Sequence, residues 1–170
     1  MVAPSLLVAT PVLAVLLGLS AFFSSAEMAI FSLPGGTAAD PASETDASRT
    51  LARLRENPHR LLVTILVGNN VVNIAISSLI TVLVVEMVPS NLAVPTATVV
   101  VSVLVLIVGE IVPKAYGRGH ARTWSVTVAK PLRLVEWVLY PLVAVFDIVT
   151  RGLTALLGGD MEVEEIYLEE

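Results

Sequence analysis

Cysteine is absent from the 170-residue chain, which excludes disulfides, thiolate metal sites and cysteine nucleophiles. Charge is sparse at 15% and aromatic residues make up 5%, whereas 55% of positions are hydrophobic. A soluble domain carries about 25% charged and about 45–50% apolar residues. Histidine occurs only as His59 and His120. Both flank apolar runs, so the soft-metal ligands are missing from the runs themselves. No Lys or Arg precedes Arg49. A cleavable signal peptide opens with a basic stretch, so the first apolar run is expected to be retained. No basic tract of the kind that binds nucleic acid occurs. Paired aspartates, HExxH and GxSxG are also missing, which leaves intramembrane hydrolysis without its residues. The chain is therefore expected to be neither an enzyme nor a binder of an organic cofactor.

What remains is long apolar sequence. A mean hydropathy of +0.84 and runs approaching the ~20 residues that cross a bilayer define an all-α integral membrane protein. Three transmembrane helices are expected at about 4–31, 61–87 and 94–116. A fourth run, "WVLYPLVAVFDIVT", is short and interrupted by Pro141, which suits the membrane surface better than a span. Arg49, Arg53, Arg55 and Arg60 fall between the first two runs, and Lys114, Arg118, Arg122, Lys130 and Arg133 follow the third. The positive-inside rule then places the N-terminus outside and the C-terminus in the cytosol of a multi-pass cell-membrane protein. In the first loop, "SETDASRTLARLREN" offers Ser43 or Asp46 as an N-cap and Leu51 and Leu54 at helical spacing, predicting a short cytosolic helix. Residues 123–157 are expected to form one or two juxtamembrane helices, broken at Pro131 and Pro141. A transmembrane domain is thus expected over 1–157, with an acidic linker at 158–170.

Each apolar run carries one polar stripe. Asn70, Asn73, Ser77 and Thr81 recur at spacings of 3, 4 and 4, which is one helix face. Ser20, Ser24 and Glu27 repeat the pattern on the first run, and Ser102, Gly109 and Pro113 share a face on the third with Glu110 beside them. Polar groups avoid lipid, so the stripes are expected to face each other. At ~1.5 Å per residue, Asn70 lies ~14 Å inside the inner boundary, and Ser24 and Glu110 ~25 Å from the outer one. Serines there act commonly as interhelical glue, whereas a carboxylate at such depth marks function. Lys114, one turn after Glu110, suits either an ion pair or the cytosolic boundary. Hydroxyls, amide oxygens and a carboxylate are ligands for a hard cation such as Mg²⁺. Pro113 lacks the N–H that would bond the Gly109 carbonyl, which predicts a local break or a π-type bulge beside Glu110. Small residues at Gly18, Ala21, Ala75 and Ser78 permit close helix contact and predict a homodimer in the lipid bilayer.

Three motifs, "FFSSAEMAIFSL" (22–33), "GNNVVNIAISSL" (68–79) and "GEIVPKAYG" (109–117), resemble as a set the transmembrane domain of the cyclin M/CorC magnesium and cobalt transporters. The resemblance covers nearly the whole chain. It implies Mg²⁺ efflux with Na⁺ as the proposed coupling ion, a three-span dimer with a juxtamembrane belt, and a following cytosolic pair of cystathionine-β-synthase (CBS) domains. Carried over by motif, it implies a metal site at Ser24, Ser25, Asn70, Asn73, Gly109 and Glu110. A Mg²⁺-sensing accessory subunit that regulates another transporter would use the same site.

Overall fold

The computed structural model describes residues 4–33 and 45–156. Its first helix, α1, runs Pro4–Phe31. A short helix, α2, covers Asp46–Arg55, and α3 covers Pro58–Met87. A third long rod is built from α4 (Ser90–Leu104), a π-helical segment (Val105–Ile111) and α5 (Val112–Gly119). The last helix, α6, extends over Ala121–Leu156. The chain is all-helical, and among the described residues three helices are long and apolar enough to cross a membrane: Leu7–Phe31, Pro58–Met87 and Ser90–Gly119. Their flanks carry exposed apolar side chains such as Leu7, Ile74, Val94 and Ile111, each more than 60% exposed. Water would not tolerate so continuous an apolar surface, whereas lipid requires it.

The buried core gathers at one end of this bundle. Phe23, Ala26 and Ile30 of α1 meet Leu61, Ile65, Val72 and Ile76 of α3, Leu51 and Leu54 of α2, and Val128, Ala129 and Leu132 of α6. Helix α2 is started by Thr45, whose hydroxyl accepts from the Ser48 backbone N–H while the Ser48 hydroxyl answers the Thr45 N–H. The cap is therefore Thr45 and not Asp46, which is the first helical residue, and Ser43 lies outside the described residues. Asp46 stands in the first turn with Arg53 and Arg55 in the last, both signs complementing the helix dipole. Leu51 and Leu54 are buried as their spacing requires.

Helix α6 departs from expectation. It passes through Pro131 and Pro141 without breaking. Each proline forfeits one helical bond, but Val128, Leu132, Glu136 and Val143 keep one face buried along the helix. Packing of that uninterrupted face offsets the roughly 3 kcal/mol that each proline costs through its missing bond and its ring clash. Leu134, Trp137, Val138, Val145 and Ile148 of α6 remain exposed. The tail from 157 onward, including the expected acidic linker, lies outside the described residues.

Ion pairs fix how α6 and the third rod sit. Glu136, buried, forms an ion pair with the Arg60 Nε at 2.9 Å and accepts from the Arg133 guanidinium at 2.9 Å, and the Arg60 guanidinium lies 4.9 Å from the Tyr140 ring centre. Lys114 pairs with Glu27 at 3.4 Å, so it joins the end of α1 to α5 and is not the partner of Glu110.

Candidate cation site

Close approach of α1 and the third rod builds the site. A Cβ added at Gly117 would run into the Ser25 backbone oxygen, and one added at Gly109 would stand 2.6 Å from the Ser20 hydroxyl. Only glycine allows the helices this near. At Gly68 of α3 the added carbon would meet the Phe23 ring at 2.6 Å, so the second and first spans also approach through a glycine.

Where these helices meet, their polar stripes converge. The Ser20 hydroxyl, fully buried, donates to the Asn73 side-chain oxygen at 2.7 Å and lies 3.4 Å from the Asn69 side-chain oxygen. The Asn73 amide nitrogen donates to the Glu110 carboxylate at 3.4 Å, near the outer limit of a hydrogen bond. Gly109 packs directly on Ser20. One turn further along the same face of α1, the Ser24 hydroxyl is completely buried and has no hydrogen-bond partner among the described residues. An unpartnered buried hydroxyl costs about 1–3 kcal/mol, a cost that a bound ligand would remove.

The third rod is unwound where it bears these groups. Val105–Ile111 is π-helical, and the Val112 N–H returns to the Ile107 carbonyl, five residues back. Pro113 follows within two residues and supplies no N–H. The helix nevertheless continues to Gly119, so the proline alters the span without ending it. A carbonyl one turn behind Pro113 loses its helical donor: that of Gly109 in an α register, that of Val108 in a π register. Either carbonyl lies in the turn that carries Glu110.

Of the residues expected from sequence, Asn73, Gly109 and Glu110 come together and Ser24 stands buried and unpaired. Two sit apart. The Ser25 hydroxyl donates to the Phe22 carbonyl at 3.1 Å and receives the Trp124 indole N–H at 3.0 Å, so it anchors α6. Asn70 is exposed and donates to the Leu66 carbonyl at 2.9 Å. Ser20 is the member that sequence reasoning assigned to packing. Its signal was present: it stands one turn before Ser24, on the stripe that ends at Glu27. Among the described residues no three His, Cys, Asp or Glu side chains converge. The cluster offers hydroxyl, amide and carboxylate oxygens, the donor set of hard cations.

Comparison with known proteins agrees with this architecture. A DUF21 domain-containing chloroplast protein of Arabidopsis thaliana is 35% identical over 147 residues, 86% of this chain and 22% of that protein. A UPF0053 protein of Haemophilus influenzae is 31% identical over 162 residues, covering 94% of this chain and 38% of its own length. A UPF0053 inner membrane protein of Escherichia coli is 28% identical over 141 residues, 82% and 33% of the two chains. The chain thus spans well under half the length of these curated relatives. The family model described as the cyclin M transmembrane N-terminal domain matches residues 11–170, which takes in most of the first long apolar helix, the whole of the other two and every residue of the cluster, and the chain belongs to that family.

Proposed function

We propose that the chain is a divalent-cation transporter that carries Mg²⁺ outward in exchange for Na⁺. The observation that carries this reading is the convergence of Ser20, Asn73, Gly109 and Glu110 around a carboxylate inside the apolar bundle, with the Ser24 hydroxyl unpaired one turn away. A carboxylate at such depth is costly unless neutralised, and a dication neutralises it. Mg²⁺ accepts hydroxyl, amide, carbonyl and carboxylate oxygens and retains several waters. The Asn73 amide, whose nitrogen faces Glu110, would present its oxygen to a cation after a half-turn of the amide. The Gly109 or Val108 carbonyl adds a neutral oxygen, as broken spans do in other transporters.

In this reading the N-terminus is outside and α2 and α6 lie on the cytosolic side, where Arg49, Arg53, Arg55, Arg60 and the basic residues after Lys114 satisfy the positive-inside rule. Helix α6, with its exposed Trp137 and Ile148, lies in the inner interface as a belt. The chain works as a homodimer and leads through its acidic end into a CBS pair. Purified protein in sealed liposomes separates this from an accessory-sensor role. A transporter releases entrapped Mg²⁺ by itself, faster with Na⁺ on the receiving side. Mg²⁺ binding without release of entrapped Mg²⁺ would favour the sensor.

A further inference from the structure

A second polar feature lies beyond the cluster, nearer the turn at Val88 and Pro89 that joins α3 to α4. A groove of about 270 Å³, open to the surface at Val94, Thr98 and Ser102, runs between the two helices there, lined by Ser77 and Thr81 of α3 and by Val94, Ala97, Thr98, Val101 and Ser102 of α4. Four of its seven lining residues carry hydroxyls. The Thr81 hydroxyl donates to the Ser77 carbonyl at 2.7 Å and that of Thr98 to the Val94 carbonyl at 2.9 Å. With their protons turned back onto their own helices, these oxygens keep lone pairs for water or a cation. At about 30 Å³ per water the groove holds several. It also continues from the cluster: Ser77 is one turn from Asn73, and Thr81 one turn further, along one face of α3.

We infer that this groove is a hydrated vestibule through which a cation passes between the outer side and the Asn73–Glu110 cluster. The inference rests on the proposed cation site. Mg²⁺ sheds water reluctantly, so it needs a wet route to any site inside the bilayer, and a hydroxyl-lined gap supplies one. Hydroxyls serving only as interhelical glue would bond across to the neighbouring helix, whereas those of Thr81 and Thr98 bond to their own helices.

The cysteine-free sequence permits a direct test. Ser77→Cys and Ser102→Cys are made singly, with Val82→Cys and Val99→Cys as controls from exposed apolar positions on the same helices. Intact cells and inverted vesicles are treated with a membrane-impermeant cationic thiol reagent. The vestibule predicts modification of Ser77→Cys and Ser102→Cys from the cell exterior at least about tenfold faster than the controls, and slowing of that reaction by millimolar Mg²⁺. Modification no faster than the controls, or only from the cytosolic face, overturns it. Labelling is read whether or not the protein moves Mg²⁺, so a failure of the transport reading stays distinguishable from a failure of the vestibule. A Ser102→Trp variant supplies an independent arm. Filling the groove should cut access to Ser77→Cys in the double variant by at least about tenfold while Mg²⁺ affinity stays at the parent value; unchanged access overturns the proposal.

Discussion

Glu110 brings a formal charge into a cluster otherwise built from Ser20, Asn73 and Gly109. Replacing it by Gln keeps the shape and the hydrogen-bond acceptor but removes the charge. Mg²⁺ affinity of Glu110→Gln should fall at least about tenfold, ~1.4 kcal/mol, with the helical spectrum unchanged; calorimetry giving the parent affinity would refute the assignment. Ser24 offers a sharper contrast, because its buried hydroxyl has no partner. Ser24→Ala removes an unsatisfied polar group, so melting without Mg²⁺ should stay level or rise. The same change deletes a ligand worth about 1 kcal/mol, a factor of about five in affinity. A hydroxyl with a purely structural role would lower the melting temperature and leave binding alone.

At the scale of helices, glycine placement decides which rods approach. An alanine at 117 would press on the Ser25 backbone oxygen, whereas one at 119 meets nothing within 4 Å. Gly117→Ala should therefore cost about 1–3 kcal/mol by overpacking, and Gly119→Ala should be neutral or gain a few tenths through helix propensity. Equal melting temperatures for the two would show that α1 and α5 are not so closely apposed. The π segment predicts a further difference. In Pro113→Ala the restored N–H should occupy a carbonyl at 108 or 109, straighten the rod and weaken Mg²⁺ binding, while helix stability rises; unchanged binding would reduce the proline to packing. Much of this was legible beforehand. Apolar length defined the three long helices, the period of Ser and Asn defined the facing stripes, and Gly109 with Pro113 foretold irregular backbone. What escaped has no local period. The Trp124–Ser25 bond, the Gly117 contact and the Arg60–Glu136 pair join residues far apart in sequence. Asn70 and Asn73 share a stripe within about 60°, yet only Asn73 reaches Ser20 and Glu110. Continuity of helix α6 was likewise hidden, because local rules penalise Pro131 and Pro141 while the buried face that overrides them is tertiary.

The described helices present apolar flanks to lipid and bring polar side chains together between them. Gly18 carries open space around it and Ser78 is exposed. Neither joins the buried core, so both are open to the close helix contact that the proposed dimer requires. Cross-linking in lipid should yield dimers, and monomers alone at every protein concentration would contradict that arrangement. Whether the oxygen cluster carries the cation across is tested most directly by Mg²⁺ flux in sealed liposomes, with parent and Glu110→Gln reconstituted at equal density and read by an entrapped Mg²⁺ indicator. Flux from the parent should grow with the Na⁺ gradient, and the variant should lose at least about nine-tenths of it, as expected for a tenfold effect. Equal flux from the two proteins, or none from the parent above empty liposomes, would contradict that role.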